Sequence, residues 1–523
     1  MASWLDFVVK QKESMRKFLL ATLILVFLSP ALAAGSYILA QSDSGAPTPF
    51  APLRQSGPHW VVTSFIYDTL LWRTADKAIP WLAQSWSWND ARTVLTIKLR
   101  PKVTWHDGEP FTSEDVKFTF DLLKSKPELS NQADLVMTYL DHIETPNPQT
   151  AVMVLKKPMV DFLERVLGWE KIIPAHVWKK AGDPLKYQGP DRFVGTGPFK
   201  FKEYKPGEFY LFEANPNYFA GKPRIDQLIL RQVANPVLAL RQGEIDAASL
   251  SPTEAKEFDG KDGFGVTEAN PSYFYTTLIF NTAKAPADKS EFRQAIAYGV
   301  NRQRVIDQAL QGDGVMGSSG TLHPESPYYS KQLPDYAYNP DKALELLGKL
   351  GYKSQGDVLL GPSGKQAEVP LLCRGQDSLR ACQLIQQDLN KLGFKVELKV
   401  LETGPAQQVL DKGDFLLTFN GHGGTFGFFT NPDFPAKIYK NPRYDELYKR
   451  WNETSSQAER LRAALELERL LATDLPKLPV YHPLYTGVYR EKEGIKLFWT
   501  KGGLAGRGGP PSYYNKLSFI EAK

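Results

Sequence analysis

"IPWLAQSWSWNDARTVLTIKLRPKVTWHDGEPFTSEDVKFTFDLL", residues 79 to 123, holds a strand, a turn and a capped helix in one run. Thr93 to Arg100 alternates: Leu95, Ile97 and Leu99 share one face, Val94, Thr96 and Lys98 the other, the period of a half-buried strand. "HDGEP" is turn chemistry. Thr112 then stands as an N-cap with the acidic Asp115 three residues on, and Val116, Phe120 and Leu123 form the apolar face of the helix that follows.

Further along, strand-like and helix-like runs continue without an internal repeat. "FKFKEYKPGEFYLFEANPNYF" (Phe199 to Phe219) predicts a hairpin turning at Lys205 to Glu208. "YFYTTLIFN" (Tyr273 to Asn281) predicts a longer strand, and "NPDKALELLGKLGY" a helix capped by Asn339 and begun by Pro340, with Ala343, Leu344, Leu347 and Leu350 inward and Gly351 past its end. A strand (Val369 to Leu372), a helix (Ser378 to Leu392), the strand "FKVELKVL", the strand "DFLLTF" and a long helix (Ser456 to Leu471) complete the order. The alternation after about residue 280 indicates an α/β unit, and the half before it is richer in strands.

At 523 residues the chain exceeds one ordinary core, and two or three domains are expected. With 42% hydrophobic and 23% charged residues it is globular. A net charge of +5 spread over this length, with no Lys/Arg block, argues against a nucleic-acid partner. Arg16 and Lys17, the apolar run Phe18 to Leu28 and Ala31-Leu32-Ala33 have the architecture of a secretory signal peptide, preceded by fourteen residues that read as an upstream start choice or an extension. No cysteine lies near that cleavage site to take a lipid, so residues 1–33 are expected to be removed and the mature protein to be exported, periplasmic and soluble. Cys373 and Cys382 are the only cysteines, open to a disulfide or to two buried thiols.

One stretch is unusual for a soluble domain. "LLTFNGHGGTFGFFTNPDF" (416 to 434) crowds glycines, phenylalanines and a histidine behind an apolar strand. Glycine lets a backbone approach a partner closely, and exposed aromatics cost free energy unless they are covered part of the time.

The order of segments resembles the family 5 extracellular solute-binding proteins of ABC importers, the oligopeptide, dipeptide and nickel group. Residues 79 to 123 are similar to one hallmark stretch. "GTGPFKFKEYKPGEFYLFEANPNYFAGKPRIDQLIL" (Gly195 to Leu230) matches a second, and "LIFNTAKAPADKSEFRQAIAYGVNRQRVI" with "HPESPYY" and "YNPDKALELLGKLGY" a third. The resemblance implies an α/β, two-lobed periplasmic-binding-protein fold (type II, cluster C-like) with an extra subdomain in lobe I and a ligand cleft between the lobes. It places lobe I at 42–274 plus the return 485–523, the subdomain at about 78–192, lobe II at 275–484, and the hinge where the chain crosses near Tyr275 to Phe280 and Tyr481 to Tyr485.

By the same resemblance, Asn420, Gly421, His422 and Gly423 would face ligand from lobe II, with Phe426 and Phe428 as stacking surfaces. Arg374 falls where dipeptide receptors hold an arginine against a ligand carboxylate, a role its bidentate fork suits. His59, Trp60 and Tyr67 sit where lobe I enters the cleft. The chain departs from the peptide receptors at the acid that pairs with a ligand ammonium: the matching position falls on or beside Gly423, so a free ammonium would need Asp433 or another acid to substitute. A peptide-type ligand is therefore expected first, with an oligosaccharide or a nickel chelate as alternatives. The expected partners are a small solute and the permease subunits of an inner-membrane ABC importer, with a monomeric receptor, no cofactor and no resident metal. No nucleophile elbow, dinucleotide fingerprint or phosphate loop is present to support an enzyme, which leaves an exported hydrolase as a remote reading.

Overall fold

The computed structural model describes residues 35–50, 57–130, 132–422, 438–454, 456–504 and 513–521. Its organising element is a mixed thirteen-stranded sheet that runs through both lobes. Ten of its strands matter for the site: β1 (Ser36–Ala40), β2 (Phe199–Lys205), β3 (Phe209–Ala214), β4 (Gln227–Arg231), β5 (Ala247–Leu250), β6 (Tyr275–Phe280), β7 (Leu371–Arg374), β8 (Leu398–Leu401), β9 (Leu417–His422) and β10 (Lys477–Arg490). They lie in the order β8-β7-β9-β6-β10-β5-β1-β4-β3-β2.

The centre of that order is where the lobes join. β10 pairs antiparallel with β6 through its first half, Lys477 opposite Ile279 and Tyr481 opposite Thr276. Its second half pairs with β5, Thr486 opposite Leu250 and Tyr489 opposite Ala247. One strand thus belongs to both halves, and the register between β6 and β10 shifts at Thr276/Thr277, a bulge that bends and twists a ladder locally.

Two of the three large apolar cores lie against this sheet. One surrounds β6, β7 and β9, with Leu278, Phe280, Ile296, Leu371, Ile385 and Phe419 fully buried. A second surrounds β1 and β4, with Tyr37, Phe65, Phe199, Phe212, Leu228 and Phe519. The third belongs to a separate four-stranded antiparallel sheet, Ala83–Trp88, Val94–Leu99, Thr150–Leu155 and Leu140–Asn147 in spatial order, covered by α1 (Ser113–Ser125).

The local readings behave as the patterns require. Leu95, Ile97 and Leu99 point into the third core. The Thr112 amide donates to Asp115 Oδ2 at 2.9 Å, and Val116, Phe120 and Leu123 are buried. The 199–219 stretch forms the antiparallel pair β2–β3. Asn339 Oδ1 accepts the Lys342 amide at 2.9 Å and opens α2 (Pro340–Lys349). α3 (Leu379–Lys391) buries Ala381, Cys382, Leu384, Ile385 and Leu389 at helical spacing. The long C-terminal helix extends three residues beyond its expected end, and two helices pack as a pair there: α4 (Pro442–Glu453) and α5 (Gln457–Asp474). Upstream of residue 42, β1 adds a strand between the expected signal peptide and lobe I, parallel to both β4 and β5. Its run of buried residues fits a strand covered on both faces.

Candidate functional site

β7, β8 and β9 are parallel, so their carboxyl ends open on one side of the sheet. Open α/β sheets bind ligands outside such ends. β7 ends on Arg374 and β9 on Asn420, Gly421 and His422. Arg374 Nη1 donates to Asn420 Oδ1 at 3.2 Å, which ties the two strand ends together. Asn420 is only 3% exposed, yet its Nδ2 has no hydrogen-bond partner among the described residues. The Arg374 guanidinium is half-buried, and burial alone pulls its pKa below the usual arginine value. Among the described residues no carboxylate lies at ion-pair distance from it. Buried donors without acceptors are costly, so a pair of this kind is poised for an incoming acceptor.

Two features hold this corner in shape. A disulfide joins Cys373, the residue before Arg374, to Cys382 on α3, which settles the two open readings of the cysteines. Gly421 lets the Phe274 ring lie against the strand backbone: a Cβ there would come 2.1 Å from that ring and would have to displace it. Phe274 immediately precedes β6, so the glycine allows the crossing strand to pass close to the ligand-side end of β9. His422 pairs in register with Tyr275 through the backbone, while its side chain, Gly423, Phe426, Phe428 and Asp433 lie outside the described residues.

The lobe I candidates occupy a different environment. His59 is 1% exposed, with Nε2 3.0 Å from the Thr48 carbonyl, and burial pushes its pKa down to about 4, so it is a neutral donor. The Trp60 ring is already engaged within the protein: Trp72 stacks on it at 5.6 Å and 11°, and Lys171 Nζ lies 4.1 Å from its centroid. Its Nε1 donates to Trp169 O at 3.2 Å. Tyr67 is wholly buried, donates to Arg192 O, and has its pKa raised by burial. In this arrangement the three make protein contacts within lobe I. The structure joins Arg374 to the 420–422 strand end and gathers His59, Trp60 and Tyr67 in the separate core beneath lobe I.

Sequence reading missed an aromatic group at the crossings. The His323 and His482 rings meet edge to face at 4.7 Å, with Tyr273 4.8 Å from His323 and Tyr275 5.7 Å from His482. His482 Nδ1 donates to Ser272 O at 2.9 Å. Burial lowers the His323 pKa to about 3 and that of His482 to about 4, so neither is charged near neutrality. Their separation in sequence leaves no spacing that could have announced the pair. Among the described residues no three histidine, cysteine or acidic side chains converge as a metal cluster, and no helix is long and apolar enough to cross a membrane.

The profile of the bacterial extracellular solute-binding proteins, family 5, matches residues 77–444, well over half of the chain. The chain is a family 5 solute-binding protein. Among individual relatives, an ABC transporter peptide-binding protein of Brucella ovis is 32% identical over 342 residues, so the chain spans about 62% of the relative's length in the match, and the match covers 62% of this chain. The oligopeptide-binding protein AppA of Bacillus subtilis is 26% identical over 432 residues, 77% of this chain and 78% of AppA. The structure of AppA in complex with a nonapeptide superposes with a TM-score of 0.79 at 21% identity, covering 94% of this chain and 99% of that one. The structure of NikZ from Campylobacter jejuni in complex with Ni(L-His) gives 0.78 at 23%, covering 93% and 99%. The two-lobed family 5 fold is thus shared across nearly the whole chain.

Proposed function

We propose that this chain is the exported receptor of an ABC importer, which takes a small peptide-type solute into the cleft between its lobes and hands it to a membrane permease. The observation that carries the reading is the Arg374–Asn420 corner: a half-buried cation and a buried amide donor, without a described carboxylate between them, at the carboxyl ends of parallel strands beside the crossing strands. A ligand carboxylate supplies the acceptors both lack. The name and nonapeptide of AppA support a peptide as first choice. The reading divides the chain into lobe I at 42–274 with 485–523, the subdomain at about 78–192 and lobe II at 275–484, working as a monomer in the periplasm; β1, upstream of residue 42, packs into the core of lobe I.

The mechanism is differential contact. Groups on both lobes reach the solute together only when the cleft is closed, so binding shifts the equilibrium toward closure, and the β6–β10 crossing is where the lobes turn.

A second reading, an oligosaccharide, draws support from the Asn420 amide, which has no partner among the described residues and suits a hydroxyl as well as a carboxylate. Native mass spectrometry of protein exported in its host and never unfolded decides between them. The expected result is a mass excess of amino-acid residue masses that vanishes on denaturation. Hexose steps would replace peptide by sugar, and a nickel-bearing mass would replace it by a chelate.

A further inference from the structure

The segment between strand Thr150–Leu155 and the π-turn Leu163–Leu167 reaches out of the subdomain and touches the α4–α5 pair. The Val160 amide donates to Asn452 O at 3.1 Å. Arg165 Nη1 donates to Asn452 Oδ1 at 3.1 Å, and Arg165 Nη2 lies 3.5 Å from the Tyr448 hydroxyl. Lys157 Nζ and Glu453 Oε1 form an ion pair at 2.5 Å, and Arg460 pairs with Asp161. Arg460 also lies over the Trp451 and Tyr328 rings at 4.8 and 5.1 Å. Arg165, Asn452 and Arg460 are all buried.

Each side of this contact stands on its own apolar core. Met159, Phe162, Val166 and Leu167 belong to the subdomain core, while Leu447, Trp451, Ala463 and Leu467 belong to that of α4 and α5. The hydrogen bonds and ion pairs between them are made by groups that water satisfies when the surfaces part. A buried ion pair exchanges hydration for pairing at little net gain, but one partner left alone in the buried state is expensive. A contact of this composition is specific when shut and inexpensive to open, unlike a broad apolar interface.

We infer that residues 157–165 and the α4–α5 pair form a clasp between subdomain and lobe II, which holds the closed arrangement and parts to release cargo. The inference rests on the hinged-receptor reading. Asp161, Arg165 and Lys157 act on one side, Asn452, Glu453 and Arg460 on the other. Because their polar groups are hydrated when the clasp is open, losing one charge penalises the closed state and leaves the folding of each side intact.

The Val160 amide reports the contact directly, since its acceptor lies across it. Hydrogen exchange of the full mature chain is therefore the test, read on peptides covering 158–165. Asp161→Asn should speed exchange there by roughly a hundredfold, the scale set by a buried charge without its partner. The double variant Asp161→Asn/Arg460→Gln, with both charges gone, should recover most of that protection. Glu453→Gln, at the more exposed pair, gives a smaller acceleration and guards against a misfolded first variant. Unchanged exchange in Asp161→Asn and Glu453→Gln would overturn the clasp. So would acceleration spread equally over strand Val94–Leu99, which means that the subdomain has loosened instead. A protein that carries no solute in the mass measurement but shows the expected exchange pattern would count against the receptor reading while leaving the contact itself in place.

Discussion

Two groups of buried polar residues, one in each lobe, use charge in opposite ways. In lobe I, Lys171 meets the Trp60 ring, Trp60 stacks on Trp72, and Lys516 Nζ lies 3.7 Å from the Trp72 ring. Lys516 ends on Asp68, which also accepts from Trp81 Nε1 at 2.7 Å, the Tyr218 hydroxyl at 2.9 Å and Thr196 Oγ1 at 2.9 Å. The Asp68 carboxylate is saturated with donors. In lobe II, Arg374 and Asn420 share one hydrogen bond and, among the described residues, leave donors over. A filled network fixes a shape; an unfilled one waits for a partner. Burial and residue type look alike in both, and hydrogen-bond saturation separates them.

The largest effect should come from emptying the saturated site. Asp68→Ala leaves a buried lysine and three neutral donors without their acceptor, and should cost about 3–5 kcal/mol in urea unfolding. Any change in ligand affinity should follow only from the folded fraction. A variant that melts within about 2 °C of the parent would mean that Asp68 is not the keystone.

Arg374→Met tests the other side of the comparison. Cargo affinity should fall by roughly 2–4 kcal/mol, the range for a charge-assisted pair lost from a desolvated site. The melting temperature should hold or rise, since a half-buried guanidinium without an acid is removed. Normal titration of the cargo found by mass spectrometry would move the binding site away from this corner.

Glu468 on α5 is the intermediate case and should give the smallest effect. It is fully buried, its Oε1 accepts the Thr321 amide at 3.0 Å and hydroxyl at 3.3 Å, and burial raises its pKa from 4.5 to about 7. The folded state holds this proton between those pH values while the unfolded chain has released it, so the residue lowers stability as pH rises from 4.5 to 7. Glu468→Gln should add on the order of 1–3 kcal/mol at pH 8 and close to nothing at pH 5, measured by thermal unfolding. The buried histidines run the other way. His59, His106 and His482 are pushed down to about 4 and His323 to about 3 by burial, so the unfolded chain protonates first. Stability contributed by their neutral forms is lost as pH falls from about 6.5 toward 4.

Much of the fold was legible because its signals are local. Leu95-Ile97-Leu99 alternate, Asn339 caps, and Lys205 to Glu208 turn, each within a few residues. Arg374 and Asn420 were each assigned to the ligand side only through the family resemblance; the parallel pairing of β7 with β9 supplies the reason their strand ends meet. Trp60 was harder. Its sequence neighbourhood says nothing of Lys171 and Trp72, the ring contacts that only the folded chain supplies. The saturation that distinguishes Asp68 from Arg374 has the same origin, since its donors come from residues 81, 196, 218 and 516.

The Asp68–Lys516 contact also sets a timetable. The two residues are 448 positions apart, and Trp72 waits 443 positions for Asn515. At ribosomal speeds of about 5–20 residues per second, Asp68 is made roughly 20 to 90 seconds before its lysine. Until then the acid has no cation to pair with and every reason to remain in water. The first lobe to be synthesised is thus the last to be completed.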